Sequence, residues 1–215
     1  MIRFVTEKQS DSQFSIRTVG LSAAGHSEIR ADVLDATLIG ESEQFLDYVS
    51  HYLRTSGKHI GSGETMAYGY WLVKFQGADQ NTLETWEYTP DAADFVKGAN
   101  LTLSYWRDQH IACKLHGAEF KPPRPDKLTI ISDGVLEGLP VQGVRYPSPD
   151  HMSGWWITTD LYNGNIQTLK REHTYHVTAV RPDLAKYLAL PDGFRFDLTG
   201  TEDVWLDQSA LNSVP

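Results

Sequence analysis

The chain has 215 residues, with 19 Lys and Arg against 28 Asp and Glu, for a net charge of −9. That length allows one or two domains, and 40% hydrophobic residues supply material for a core and exclude wholesale disorder. The acidic balance counts against a nucleic-acid binder, whose affinity comes from Lys and Arg on phosphates, and against a membrane-surface protein, which needs basic clusters.

Glu7, Lys8 and Asp11 interrupt any apolar run near the start, so no signal peptide is expected there, and no stretch approaches the ~20 apolar residues of a spanning helix. Cys113 is the sole cysteine, which leaves no intrachain disulfide. A cytoplasmic protein is expected, with Cys113 as a buried thiol.

In chain order, Phe14 to Val19 alternates apolar and polar residues, as a half-buried strand does, and Ile29, Ala31 and Val33 repeat the pattern. Phe45, Leu46, Val49 and Leu53 fall at helical spacing, with Ser42 as a cap and Gly57 as a left-handed stop. Met66 to Phe75 and Leu83 to Tyr88 are aromatic-rich strands. Leu101, Leu103 and Tyr105, then Ile111, Cys113 and Leu115, read as a further hairpin, with a helix as the alternative. Pro122, Pro123 and Pro125 cannot continue a helix or a central strand, so 121–127 is read as an extended linker. Beyond it come strands at Leu128–Ile131, Val141–Tyr146, Trp155–Thr158 and Thr174–Val180. A short helix from Pro182 and a returning strand at Phe194–Phe196 follow. This order predicts an α+β protein of two small domains, 1–120 and 128–215, each a mainly antiparallel sheet with one or two helices. Both halves are acidic, −4 over 1–127 and −5 over 128–215.

The second half carries Ser132-Asp133 and Gly134 after a strand, then Arg145-Tyr146, then Ser153-Gly154-Trp155. Near its end come Arg181-Pro182-Asp183-Leu184, Leu188, Pro191, Gly193 and Phe196. In order and spacing this segment, roughly 128–205, resembles the small α+β domain family of bacterial toxin-immunity proteins, formerly a domain of unknown function. It departs from that pattern after the Trp strand, where Thr158-Thr159-Asp160 keeps one acid. The resemblance implies a non-enzymatic protein without cofactor that binds a cognate protein toxin and blocks it, with Ser132, Asp133, Arg145, Ser153, Gly154 and Trp155 as structural motif.

An acidic inhibitor suits a toxin with a basic surface. Asp197, Glu202, Asp203 and Asp207 follow Arg195 with no further Lys or Arg, and Trp205 lies among them. An aromatic anchor among charges has the make-up of an interface hot spot; a solvated acidic tail with Trp205 folded back is the alternative. Alternation turns Trp155 into the core and Trp156 outward, toward a partner or the first domain. Trp156, Asp160, Glu202, Asp203, Trp205 and Asp207 are therefore the expected partner-binding residues.

Other chemistry fits less well. His173 and His176 fall on opposite faces if their segment is a strand, so no metal is expected. Gly61-Ser62-Gly63 lacks the Lys of a phosphate loop and reads as a turn. Glu84 and Glu87 fall on opposite faces of a strand, which is poor geometry for paired acid–base work. Two rivals stand beside the immunity reading. One is a small-molecule-binding or enzymatic domain built on Glu64, Tyr68, Trp71 and Trp86. The other is a structural adaptor that forms a homodimer.

Overall fold

Ile16, Ile29, Ala31, Val33, Val73 and Phe75 are fully buried, and each occupies an alternate position on a strand. Period-two burial of this kind lets one face of a sheet shed water while the other stays wet. The computed structural model describes residues 2–213. The chain divides into two units, Met1–Arg107 and Asp108–Pro215.

The first unit contains β1 (Arg3–Ser10), β2 (Gln13–Val19), β3 (Glu28–Val33), α1 (Ile39–Ser56), β4 (Thr65–Tyr68), β5 (Trp71–Gly77), β6 (Thr82–Tyr88) and β7 (Phe95–Lys97). The strands form one sheet in the order β1-β2-β3-β6-β5-β4, with β7 also paired to β6. Only β3 and β6 run parallel, because the chain crosses between them through α1. Phe45, Leu46, Val49 and Leu53 of α1 are buried against the Ile16, Ile29 and Phe75 face of the sheet. Gly57 ends α1 in the left-handed region, φ 67°. Ser42 lies inside the helix rather than at its cap, and its hydroxyl donates to the Leu38 carbonyl at 2.7 Å.

The segment expected as a hairpin at 101–115 is a helix, α2 (Asn100–Leu115). Its buried residues, Thr102, Leu103, Tyr105, Gln109, Ala112 and Cys113, recur at helical spacing, whereas Ile111 and Leu115 face solvent. The helix is started by Glu87 on β6, whose two carboxylate oxygens accept from the Leu101 and Thr102 N–H groups at 3.0 and 2.7 Å. The division between the two units falls inside α2.

The second unit continues with β8 (Leu128–Ile131), β9 (Gln142–Arg145), β10 (Met152–Thr158), β11 (Lys170–His173), α3 (Thr174–Val180), β12 (Phe194–Asp197), β13 (Asp203–Leu206) and α4 (Gln208–Leu211). These strands form a second sheet, β11-β8-β10-β9-β12-β13, in which only β8 and β10 are parallel. The proline-rich stretch 121–127 is hydrogen-bonded within this unit: Lys121 N–H donates to Ala189, and Pro125 and Lys127 carbonyls accept from Tyr175 and Thr174. Thr174–Val180 is also helical rather than extended, burying Thr174, Val177 and Thr178 on one side. The protein is thus α+β, with two mainly antiparallel sheets and a few helices.

Phe196 on β12 lies across Gly143 of β9, where a Cβ would overlap the phenyl ring. Trp155 and Tyr187 pack against the same ring, with centroids at 5.3 and 4.7 Å. Gly143→Ala is expected to destabilise the protein by about 1–3 kcal/mol through overpacking, read as a lower midpoint in urea unfolding at unchanged slope; an unchanged midpoint would show that the ring relaxes freely.

Candidate functional site

The two faces of the second sheet differ in kind. On one, Trp155 is fully buried and its indole N–H donates to the Leu188 carbonyl at 3.1 Å. Arg145, directly opposite Trp155 across the β9–β10 ladder, is 5% exposed. Its Nη1 donates to the carbonyls of Lys121, Leu190 and Leu188 at 2.6, 2.6 and 3.1 Å. Its Nε lies 3.3 Å from Asp192. Burial lowers the Arg145 pKa to about 10 against the pull of Asp192, so the group remains a cation at neutral pH.

The other motif residues serve the same side of the sheet. Ser153 shares a hydroxyl chain with Thr129 and Thr174, at 2.8 and 2.9 Å. Gly154 has φ +84°, and a Cβ there would meet the Tyr146 carbonyl at 2.5 Å. Ser132 accepts from the Thr159 N–H at 3.0 Å and donates to the Asp133 carbonyl. The Asp133 side chain is exposed and pairs with Lys170 at 2.7 Å.

The opposite face is an aromatic row. Register places Arg171, Ile130, Trp156, Val144, Arg195 and Trp205 side by side across all six strands. Trp156 is half-buried, with Tyr146 edge-on at 6.0 Å, and Trp205 is 40% exposed. The next row is Thr158, Gln142, Asp197 and Asp203, and Asp160 lies just beyond Thr158. Ile130 and Val144 in the row are buried, Trp156 and Trp205 flank Val144 and Arg195, and Asp197 and Asp203 occupy the next row.

The four acids after Arg195 are not equivalent. Asp207 caps α4 by accepting from Ser209 N–H at 2.9 Å and binds Arg195 Nε at 2.6 Å. The Ser209 hydroxyl and the Arg195 guanidinium hold its carboxyl at about 2. Glu202 binds Lys186 through both oxygens at 3.1 Å. The Tyr187 hydroxyl, then Lys186, keep it below the usual carboxylate range. Asp197 receives Thr199 N–H and hydroxyl at 2.8 and 2.7 Å. Asp203 and Asp160 are exposed, and neither is in an ion pair with another of the described residues. The structure therefore brings Trp156, Trp205 and Asp203 to one face and leaves Asp160 in the exposed turn that follows β10, whereas Glu202 and Asp207 are engaged within the fold. Tyr146, Arg171 and Arg195 join that face and were not expected there; their signal is strand register, which composition does not carry.

Residues 108–207 match the family model of the Imm33-like domain. The match begins where the second unit begins and spans β8 to β13, so the whole second sheet lies within the matched segment. The Ser132, Arg145 and Ser153-Gly154-Trp155 motifs all lie inside it. No curated protein and no solved structure matches the chain.

The first unit does not gather the residues of the rival small-molecule reading. Tyr68 and Trp71 are buried on the α1 side, stacked or edge-on with Trp106 and Tyr105. Trp86 is on the other face of the sheet, with its indole N–H on Glu84 at 3.0 Å. Glu64 closes the turn before β4 by accepting from Gly61 N–H at 2.6 Å. His173 and His176 do not lie on opposite faces of one strand, as expected: His173 ends β11, His176 is on α3, and their rings meet edge-on at 5.7 Å. Burial pushes the Cys113 thiol up to about 11, away from thiolate chemistry. Among the described residues no helix is long and apolar enough to cross a membrane.

The Asp207 cap fixes a pH dependence. Its folded pKa lies below that of a free aspartate, about 3.9, so its stabilisation is present above that value and is lost as pH falls toward 2. Asp207→Asn keeps the shape of the cap without the charge. The gap in unfolding midpoint between the wild type and this variant is expected to be widest near neutral pH and to close on acidification; a gap independent of pH would show that the charge is not what stabilises.

Proposed function

We propose that this protein is an immunity protein that neutralises a bacterial toxin by direct, non-enzymatic occlusion, and that the toxin docks on the open aromatic face of the Imm33-like domain. The match over 108–207 supports the class, and the observation that carries the site is the row Trp156, Val144, Arg195 and Trp205 with Asp203 in the next row; Asp160, in the turn after β10, is proposed to join it. Half-exposed Trp side chains beside uncommitted carboxylates suit a partner that offers an apolar contact flanked by Lys or Arg. Desolvation of the rings would supply affinity, and the carboxylates, with the net −9, would steer a basic partner. Such an inhibitor acts in the cytoplasm of the cell it protects and requires no cofactor. A homodimer through the same face is an outcome that light scattering on the purified protein would detect.

Co-expression with the toxin encoded beside the gene, followed by co-purification and a growth assay, tests the proposal. The wild type is expected to bind the toxin and restore growth. Trp156→Ala and Trp205→Ala are each expected to weaken binding at least tenfold, about 1.4 kcal/mol, without changing the melting temperature by more than a few degrees. Asp203→Lys is expected mainly to slow association, with less dependence on salt. Absence of binding would remove the immunity reading, and binding indifferent to both Trp variants would move the site elsewhere.

A further inference from the structure

The first unit has an open face of its own. Along β1, β2, β3, β6 and β5, register aligns Val5, Arg17, Arg30, Glu84 and Gln76 on the side away from α1. Arg30 is neutralised there: its Nη2 is 2.5 Å from Glu84 and its Nε 3.5 Å from Asp32. Lys97 spans the same two carboxylates at 2.6 and 3.5 Å. Two cations and two anions balance. Arg17 stands outside that balance. It is directly opposite Arg30 on the neighbouring strand, and like charges in that position repel. Its guanidinium has no hydrogen bond or ion pair with another of the described residues.

Arg17 lines a polar cleft of about 210 Å³ together with Arg30, Ser15 and Thr82. Two carboxylates also line it and keep their charge: Glu7, which accepts from Gln9 at 3.3 Å, and Asp79, which accepts from Asn81 N–H at 2.8 Å. A guanidinium without a partner presents a planar fork of donors suited to two oxygens of one anion. The adjacent hydroxyls can donate to the same group. The volume equals that of roughly seven waters, enough for a small molecule and not for a folded segment. The net charge of −9 opposes approach of a long polyanion, so a small anion held by direct hydrogen bonds to the guanidinium is the ligand this cleft suits.

We propose that this cleft in the first unit is a binding site for a small oxyanion, a carboxylate or phosphate group held by Arg17. It assigns a ligand to the half of the chain outside the Imm33-like match and does not depend on the toxin proposal. The test is titration of the full-length protein with inorganic phosphate and with sodium acetate at low ionic strength, followed by calorimetry and by amide chemical shifts of β2 and β3. Saturable binding of at least one probe is expected, and the tighter of the two identifies the class. Arg17→Gln is expected to weaken it at least tenfold while circular dichroism and melting remain those of the wild type, and Arg17→Lys to retain part of it. Glu7→Gln, which removes a competing carboxylate from the rim, is expected to tighten binding about twofold or more. No saturable binding of either probe, or binding unchanged in Arg17→Gln, would overturn the proposal.

Discussion

The second unit is organised around a guanidinium buried in the protein. Removing Arg145 from water is costly, and the cost is offset only because three carbonyls and Asp192 converge on it. Those carbonyls come from Lys121, at the entry to the proline-rich stretch, and from Leu188 and Leu190, so one side chain ties together segments far apart in sequence. Trp155 shares the Leu188 carbonyl with it. Lys could not replace Arg145 here, since an ammonium lacks the planar fork that reaches several acceptors at once. By fixing these segments on one side of the sheet, the Arg145–Trp155 pair reserves the other side for the aromatic row.

Both sheets are one-sided, and their open faces are built differently. In the first unit, charge is compensated among Arg30, Lys97, Glu84 and Asp32, with Arg17 outside that set and beside Glu7 and Asp79. In the second, Trp156 and Trp205 flank Val144 and Arg195 in one row, and Asp197 and Asp203 occupy the next. A net charge of −9 describes neither face. Local compensation decides which charges can meet a partner, and here Asp207 and Glu202 are engaged while Asp160 and Asp203 are not.

What the sequence disclosed follows the range of the interactions concerned. Ile29, Ala31 and Val33 announce a strand because alternate burial is a property of the segment itself. Phe45 to Leu53 announce α1 for the same reason, and Trp155 against Trp156 gives the two faces of β10. The helix α2 is hard to tell from a hairpin in the sequence because Leu101, Leu103 and Tyr105 happen to alternate. The residues that define its buried stripe include Thr102 and Gln109, which are polar, and its N-terminus is held by Glu87 on a strand. Thr174–Val180 hid its helix behind alternating Tyr175, Val177 and Ala179. Within the candidate site, Trp156, Trp205 and Asp203 were readable as exposed types near chain features. That they share one face was not, since it depends on pairings of β10 with β9, β9 with β12 and β12 with β13.

Those pairings are set from the opposite side of the sheet. Phe196 occupies the space that Gly143 leaves open, and Trp155 and Tyr187 close around the ring. A slip of one residue between β9 and β12 would place Phe196 against a residue with a side chain and would turn Arg195 into the core. The packing around Gly143 therefore locks β12, and through it β13, in the register that carries Trp205 onto the row of Val144 and Trp156. On the open face itself the buried Ile130 and Val144, and Arg195 through Asp207, also hold the fold, so the positions free to change with a partner are the exposed ones, Trp205 and Asp203 among them.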